Sequence, residues 1–229
     1  MTTLAPHDQQ TEARALQSLG ASHDAIYRMV AGALRKRNIR GEMIVDLGCG
    51  NGNLLPFVRD RFERYVGVDV IRHEKFPQGA EFIKCDANTG KASLPDNCAD
   101  VVAAVETIEH LENPRAFARE LARLAKPGGW VIVTTPNQLS LLSLLTLIVK
   151  RRFSAFQDAH YPAHLTALLE VDLKRIATEC DLRELEIAYS HKGRIVLTAW
   201  HYPEFFAKIF PRALSDNLLL LGTKPNAND

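Results

Sequence analysis

The chain is short of cysteine, has no excess of either charge, and holds no apolar run long enough to cross a membrane. Its four cysteines, Cys49, Cys85, Cys98 and Cys180, are scattered, and no two form a Cys-x-x-Cys pair. That spacing excludes a zinc knuckle, and a chain of 229 residues needs no disulfide framework, so reduced thiols in a cytoplasmic protein are expected. Lys and Arg number 28 against 27 Asp and Glu, a formal charge of +1, which excludes a global field that would draw the protein to nucleic acid. Residues Met1 to Gln10 carry Asp8 and no basic stretch followed by an apolar run, so no secretory leader is expected. Internal repeats and low-complexity tracts are also missing. With 46% hydrophobic and 24% charged residues, disordered, fibrous and multi-span membrane classes drop out, and one domain over 1–229 is expected.

What is present is an alternation. Residues 1–22 lack a strong period and read as a loose arm or frayed helix, followed by helical spacing of Ile26, Met29, Val30 and Leu34 between His23 and Arg37. Met43 to Leu47 is a short apolar run ending at glycines, and Asn53 to Phe62 reads as a helix with Pro56 near its start. Tyr65–Val70, Glu81–Lys84, Ala99–Val105 and Trp130–Thr135 read as strands. Asn113 to Ala125 reads as a helix opened by Pro114 and closed by Lys126-Pro127-Gly128-Gly129. A further helix is expected from about Glu170 to Cys180, with strands near Leu185–Tyr189 and Asn217–Thr223. Apolar strands alternating with helices imply a parallel sheet covered on both faces, an α/β doubly wound fold. The expected layout is a helical arm over 1–40, a cofactor-binding core over 41–137, a lid and acceptor region over 138–212, and the last strand and tail over 213–229.

The most specific segment is Val45-Asp46-Leu47-Gly48-Cys49-Gly50-Asn51-Gly52, between the first strand and the next helix. Glycines permit a sharp turn and close backbone approach, and a helix amino end offers unpaired N–H groups. Asp69 closes the second strand, where a carboxylate accepts hydrogen bonds from a ribose diol. A nucleoside ligand follows. The dinucleotide fingerprint needs a third glycine at position 53, which is Asn, and the phosphate-loop pattern lacks its Gly-Lys-Ser/Thr. An NAD-dependent reductase is therefore disfavoured.

From these residues the chain resembles the class I S-adenosylmethionine-dependent methyltransferases, of the general small-molecule, UbiG/UbiE-like group. The resemblance spans roughly residues 40–136 and includes Cys85-Asp86-Ala87, Glu106-Thr107-Ile108-Glu109-His110-Leu111, Leu124 to Gly129 and Thr135-Pro136-Asn137. It implies a Rossmann-like sheet of seven strands, mostly parallel, with the last, near Leu218–Gly222, antiparallel. It also implies S-adenosyl-L-methionine as cofactor. The glycine loop with Asp46 would hold the methionine portion, Asp69 the ribose and Asp86 the adenine amino group. Cofactor-binding residues are then expected at Asp46, Gly48, Cys49, Gly50, Asn51, Gly52, Asp69, Val70, Asp86, Ala87 and Val105.

Methyl transfer is an in-line displacement that needs alignment first, and a base only where the acceptor must lose a proton. His110 is the candidate base, with Glu106 a second catalytic candidate and Glu109 near enough to orient the imidazole; the plain alternative makes His110 a helix-positioning residue. No metal ligand is assigned. Glu106-x-x-Glu109-His110 nevertheless resembles the metal site of small-RNA terminal 2′-O-methyltransferases, with His160 or His164 as the later ligand for Mg²⁺ or Mn²⁺. Against an RNA acceptor, Arg35-Lys36-Arg37 and Lys150-Arg151-Arg152 are the only basic clusters, without interleaved aromatics. A non-catalytic S-adenosylmethionine-binding scaffold is the other alternative.

Leu139 to Val149 has only Ser140, Ser143 and Thr146 as polar residues, on one helical stripe. As a helix it would be about 16 Å long, short of a roughly 30 Å hydrocarbon core. A lid helix buried over the acceptor pocket is expected, with a peripheral contact to the inner face of the membrane, through the basic residues that follow, as the alternative. Phe153, Phe156, Tyr161, Trp200, Tyr202, Phe205 and Phe206 suggest a small or lipid-like O or N acceptor, or else ordinary core. His191 and His201 receive no role.

Overall fold

A computed structural model describes residues 12, 13, 15, 16 and 20–226. Most of the expected arm over 1–22 lies outside them. The elements are α1 (Asp24–Lys36), β1 (Gly41–Leu47), α2 (Leu55–Val58), β2 (Phe62–Asp69), β3 (Glu81–Lys84) and β4 (Ala99–Val105). Then follow α3 (Pro114–Leu124), β5 (Ala125–Pro136), α4 (Leu141–Lys150), α5 (Glu170–Glu179), β6 (Arg183–Tyr189), α6 (Glu204–Ile209) and β7 (Asn217–Thr223).

Local chemistry sets the helix ends. The His23 side chain accepts from Ala25 N at the start of α1, and Asp24 opposite Arg35 and Lys36 complements the helix dipole. Asn113 Oδ1 accepts from Ala116 N, and Pro114 occupies the first turn of α3, where its missing N–H is not needed. The expected helix over 53–62 shrinks to Leu55–Val58, because the chain is already committed to β2 at Phe62, which pairs with Gly41. Gly41 N also donates to Arg61 O, 3.1 Å. In the same way Lys126 to Gly129 joins β5, with Gly128 N donating to Lys224 O.

The sheet has seven strands in the order β3-β2-β1-β4-β5-β7-β6, parallel except for β7, which runs antiparallel to both β5 and β6. Residues alternate between two buried faces. Val45, Val66, Val102 and Val131 pack with Phe117 and Leu121 of α3 and with Leu173 and Ile176 of α5. Ile44, Val101, Ala103 and Ile132 pack with Ile26, Val30 and Leu34 of α1. Each fully buried branched or aromatic side chain contributes about 1.5–3 kcal/mol by leaving water, so two sealed faces make a stiff platform. The chain runs from β1 outward to β3 and then returns to the other side of β1 with β4. This reversal opens a crevice at the carboxyl ends of β1 and β4, where ligands bind in open α/β sheets. No helix among the described residues is long and apolar enough to cross a membrane.

The surprise is α4. Ser143 is fully buried, whereas Ile148 and Val149 are 76% and 78% exposed. The polar stripe faces inward: Ser140 Oγ accepts from Ser143 N, and Ser143 Oγ accepts from Ser154 N, both 3.2 Å. The expected lid helix with a buried apolar face is therefore corrected to one that turns Leu144, Leu145, Ile148 and Val149 outward.

Candidate active site

Beyond β1 the backbone turns back over the sheet. Gly48 N and Cys49 N both donate to Val68 O, and Gly48 has φ +77°, where a Cβ would lie 2.3 Å from Thr107 Oγ1. Gly50 has φ +51°, and a Cβ there would lie 2.4 Å from Gly20 O. Both positions demand glycine for conformation and for space. Asn51 N donates to Gly20 O, 2.8 Å, so the segment before α1 is laced onto the loop. The following helix is only Leu55–Val58, too short to supply the N–H cluster that the sequence suggested.

Three carboxylates surround this turn. Asp69 Oδ2 accepts from Gly50 N at 2.8 Å, and its Oδ1 accepts from Val70 N at 2.7 Å. Asp46 Oδ2 accepts from Tyr65 Oη at 2.6 Å, while its Oδ1 is buried without a partner. Burial pushes the Asp46 carboxyl up to about 7. Asp86 Oδ1 accepts from Asn88 N, and its Oδ2 is likewise buried and unpartnered.

These groups line a cavity of about 510 Å³ in the crevice, within the usual size range of small-molecule sites. Of the expected cofactor residues, Asp46, Gly48, Cys49, Gly50, Asp69, Val70, Asp86, Ala87 and Val105 stand on its wall. Asn51 and Gly52 do not. They shape the turn, Gly52 N donating to Cys49 O. The Cys49 thiol is buried, and that burial strongly opposes its ionisation, so it stands in the wall as a neutral thiol.

The other end of the same cavity holds Glu106, Glu109, His110, His160 and His164. Glu106 has φ +51° and is half-buried. Its Oε1 accepts from Thr134 Oγ1 at 2.9 Å and its Oε2 from Asn217 Nδ2 at 2.7 Å. Burial raises its carboxyl to about 7. Glu109 is fully buried; its Oε2 accepts from Thr135 Oγ1 and its Oε1 has no partner. Burial first, and the Glu106 charge second, hold the Glu109 carboxyl well above its ordinary range.

The orienting partner of His110 at Nδ1 is the Ala163 carbonyl, 2.8 Å away. A carbonyl only accepts, so Nδ1 carries the proton and Nε2 the lone pair. His164 repeats the arrangement, Nδ1 to Ala155 O at 2.7 Å, and burial, with the His110 imidazole opposing a second positive ring beside it, lowers it to about 4. The two rings meet edge to face at 4.8 Å. Their segments are stitched together by Leu165 N and Thr166 N donating to Glu109 O and by Thr166 Oγ1 donating to Leu111 O.

Several wall residues carried no sequence signal. Gly20, Ser22 and Tyr27 come from the segment around α1, and Asn217 comes from β7, more than a hundred positions from the glutamate it binds. Only the tertiary fold brings these groups in. Conversely, none of Phe153, Phe156, Tyr161, Trp200, Tyr202, Phe205 and Phe206, and nothing between Leu139 and Val149, lines the cavity. The expected aromatic acceptor pocket is corrected. Trp200, Phe205 and Phe206 are exposed and belong to no core either.

Residues 22–187 match the family model described as a methyltransferase domain. A "probable S-adenosylmethionine-dependent methyltransferase" of Mycolicibacterium smegmatis is 29% identical over 121 residues, covering 52% of this chain and 45% of that protein. The ubiquinone biosynthesis O-methyltransferase of Aeromonas salmonicida is 32% identical over 117 residues, 47% of this chain and 49% of that one. The chain thus spans about half the length of the curated relatives it matches. A solved SAM-dependent methyltransferase from Archaeoglobus fulgidus superposes with a TM-score of 0.63 at 20% identity, over 91% of this chain and 97% of that one. At that identity the likeness shows the fold.

Proposed function

The chain belongs to the methyltransferase-domain family, and from that membership we propose that it transfers a methyl group from S-adenosylmethionine to an oxygen or nitrogen of a small acceptor. The observation that carries the reading is the pair of buried carboxylate oxygens without partners, Asp46 Oδ1 and Asp86 Oδ2, on the same wall as Asp69. Such acceptors need donors. An amino-acid ammonium suits Asp46, a ribose diol suits Asp69 and an exocyclic adenine amine suits Asp86, which is the donor set of S-adenosylmethionine. Bound there, that molecule supplies an electrophilic methyl group on a positive sulfonium.

The chain's own residues align and deprotonate. The glycine turn and Asp69 fix one end of the cavity, and Val105 with Glu106 closes the carboxyl end of β4. An acceptor hydroxyl at the far end meets His110, whose Nε2 bears the lone pair, and Glu106, whose carboxylate titrates near neutrality. Either accepts a proton there. An RNA acceptor gains no support, because no Lys or Arg among the described residues stands on the cavity wall.

The exposed apolar face of α4, continued by Lys150, Arg151 and Arg152, favours a peripheral membrane contact and hence access to a lipid-like acceptor. Turnover tests the central reading. Purified protein with S-adenosylmethionine and a fractionated small-metabolite extract should release S-adenosylhomocysteine. Binding with no release by any fraction would make the protein a scaffold.

A further inference from the structure

Glu109, His110 and His164 each present one ligand atom within 4.8 Å of the others, on three side chains brought together from the end of β4 and the segment before α5. We propose that these three hold a divalent first-row transition cation, Mn²⁺, Fe²⁺ or Zn²⁺, at the acceptor end of the cavity.

Three features of the site favour a cation over a chance cluster. First, both imidazoles are fixed in the same tautomer, because Ala163 O and Ala155 O each take an Nδ1 proton. The nitrogen left with a lone pair in each ring is Nε2. A metal-bound histidine is ordinarily set up in this way, its second ring N–H given to a carbonyl or carboxylate. Second, Glu109 is fully buried, lines the cavity, and has one carboxylate oxygen, Oε1, with no hydrogen-bond partner. Its other oxygen is steadied by Thr135. A buried oxygen without a donor is the sort of group that a cation satisfies. Third, the framework is rigid, since Leu165 N and Thr166 N both donate to the Glu109 carbonyl itself.

The geometry also chooses between two neighbouring histidines. His160 stacks on His164 at 5.4 Å, but its Nδ1 accepts from Gln157 N at 3.3 Å. Its Nε2 therefore carries the proton and offers a donor where a ligand needs a lone pair. His164 is the ligand and His160 is not. Two imidazoles and one carboxylate, with the remaining positions facing a cavity, suit an open site for borderline cations better than an all-oxygen Mg²⁺ or Ca²⁺ cage. Ligand atoms around such an ion stand about 3 to 3.5 Å apart at bond lengths near 2.1 Å, so modest side-chain rotation completes the set.

The use of this ion in catalysis rests on the methyl-transfer reading; its binding does not. A hydroxyl oxygen on such a cation gives up its proton more readily. With the His110 lone pair taken by the ion, Glu106 on the same wall would take the acceptor proton, and the acceptor oxygen would form its bond to the methyl carbon as the methyl–sulfur bond breaks, its electron pair leaving with S-adenosylhomocysteine.

The test uses full-length, tag-free protein stripped with EDTA. MnCl₂ titration followed by electron paramagnetic resonance, and ZnCl₂ titration by calorimetry, should each saturate at one ion per chain. His164→Ala and Glu109→Gln should weaken binding at least tenfold, while His160→Ala binds as the parent does. No saturable binding overturns the proposal, as does parent-like affinity in His164→Ala, or an equal loss in His160→Ala. If Glu109→Gln fails to fold, the His164→Ala and His160→Ala pair decides alone. S-adenosylmethionine titration of the same stripped sample separates the two claims, because failure of the cofactor site leaves the ion site intact and the reverse also holds.

Discussion

Asp46 is a carboxylate that the fold holds in an uncomfortable place. It sits 2% exposed at the end of β1, takes one hydrogen bond from Tyr65, and has its carboxyl raised to about 7 by burial. The sign of the linkage follows. A carboxyl with a raised folded value stabilises the ligand-free protein below the unfolded value near 4, and loses that contribution as pH rises through about 7. An ammonium placed on Oδ1 reverses the preference and drives off the proton. Below neutrality, S-adenosylmethionine binding should therefore release a proton from Asp46, and affinity should rise between pH 6 and 8. Calorimetry in buffers of different ionisation enthalpy measures this. Asp46→Asn should abolish the release; release that persists in the variant places the proton elsewhere. The position of Asp69 was legible because a strand end and a glycine turn carry their own spacing. That Glu109 and His164 meet was offered only through a resemblance, which left His160 as an equal choice, because 55 positions separate the two and a cluster of backbone hydrogen bonds joins their segments.

Periodicity shows that an element is amphipathic without showing which way it turns. The stripe of Ser140, Ser143 and Thr146 and the leucine-rich remainder of α4 were plain in the sequence, and burial of the apolar side was the natural expectation. The serines face inward instead because they serve as local acceptors, one capping α4 and the other receiving Ser154 N. Propensity likewise overstated α2, since nothing local announced that β2 begins at Phe62 to keep register with β1. The outward face of α4 has a measurable consequence. Sedimentation with liposomes containing anionic lipid should carry the protein down, and Ile148→Asp with Val149→Asp should leave it in the supernatant at unchanged melting temperature. Equal sedimentation of the double variant would remove α4 from any membrane contact.

At the scale of the whole molecule the sheet was the most legible feature, because strands buried on both faces write continuous apolar runs and their ends are marked by glycine, proline and acidic residues. The acceptor end was the least legible. Its walls come from the single turn over Ile108–His110, loops and the far strand β7, joined by contacts such as Asn217 to Glu106 that have no sequence period. The proposed activity needs the one crevice between β1 and β4 to hold S-adenosylmethionine. Calorimetric titration of the parent and of Asp69→Ala with that molecule is the most direct test. The parent should bind one molecule per chain, displaced by S-adenosylhomocysteine and indifferent to NAD, and Asp69→Ala should lose about 1.5–3 kcal/mol, the scale of hydrogen bonds to a charged group. Saturable NAD binding with no response to S-adenosylmethionine, or unchanged affinity in Asp69→Ala, would contradict it.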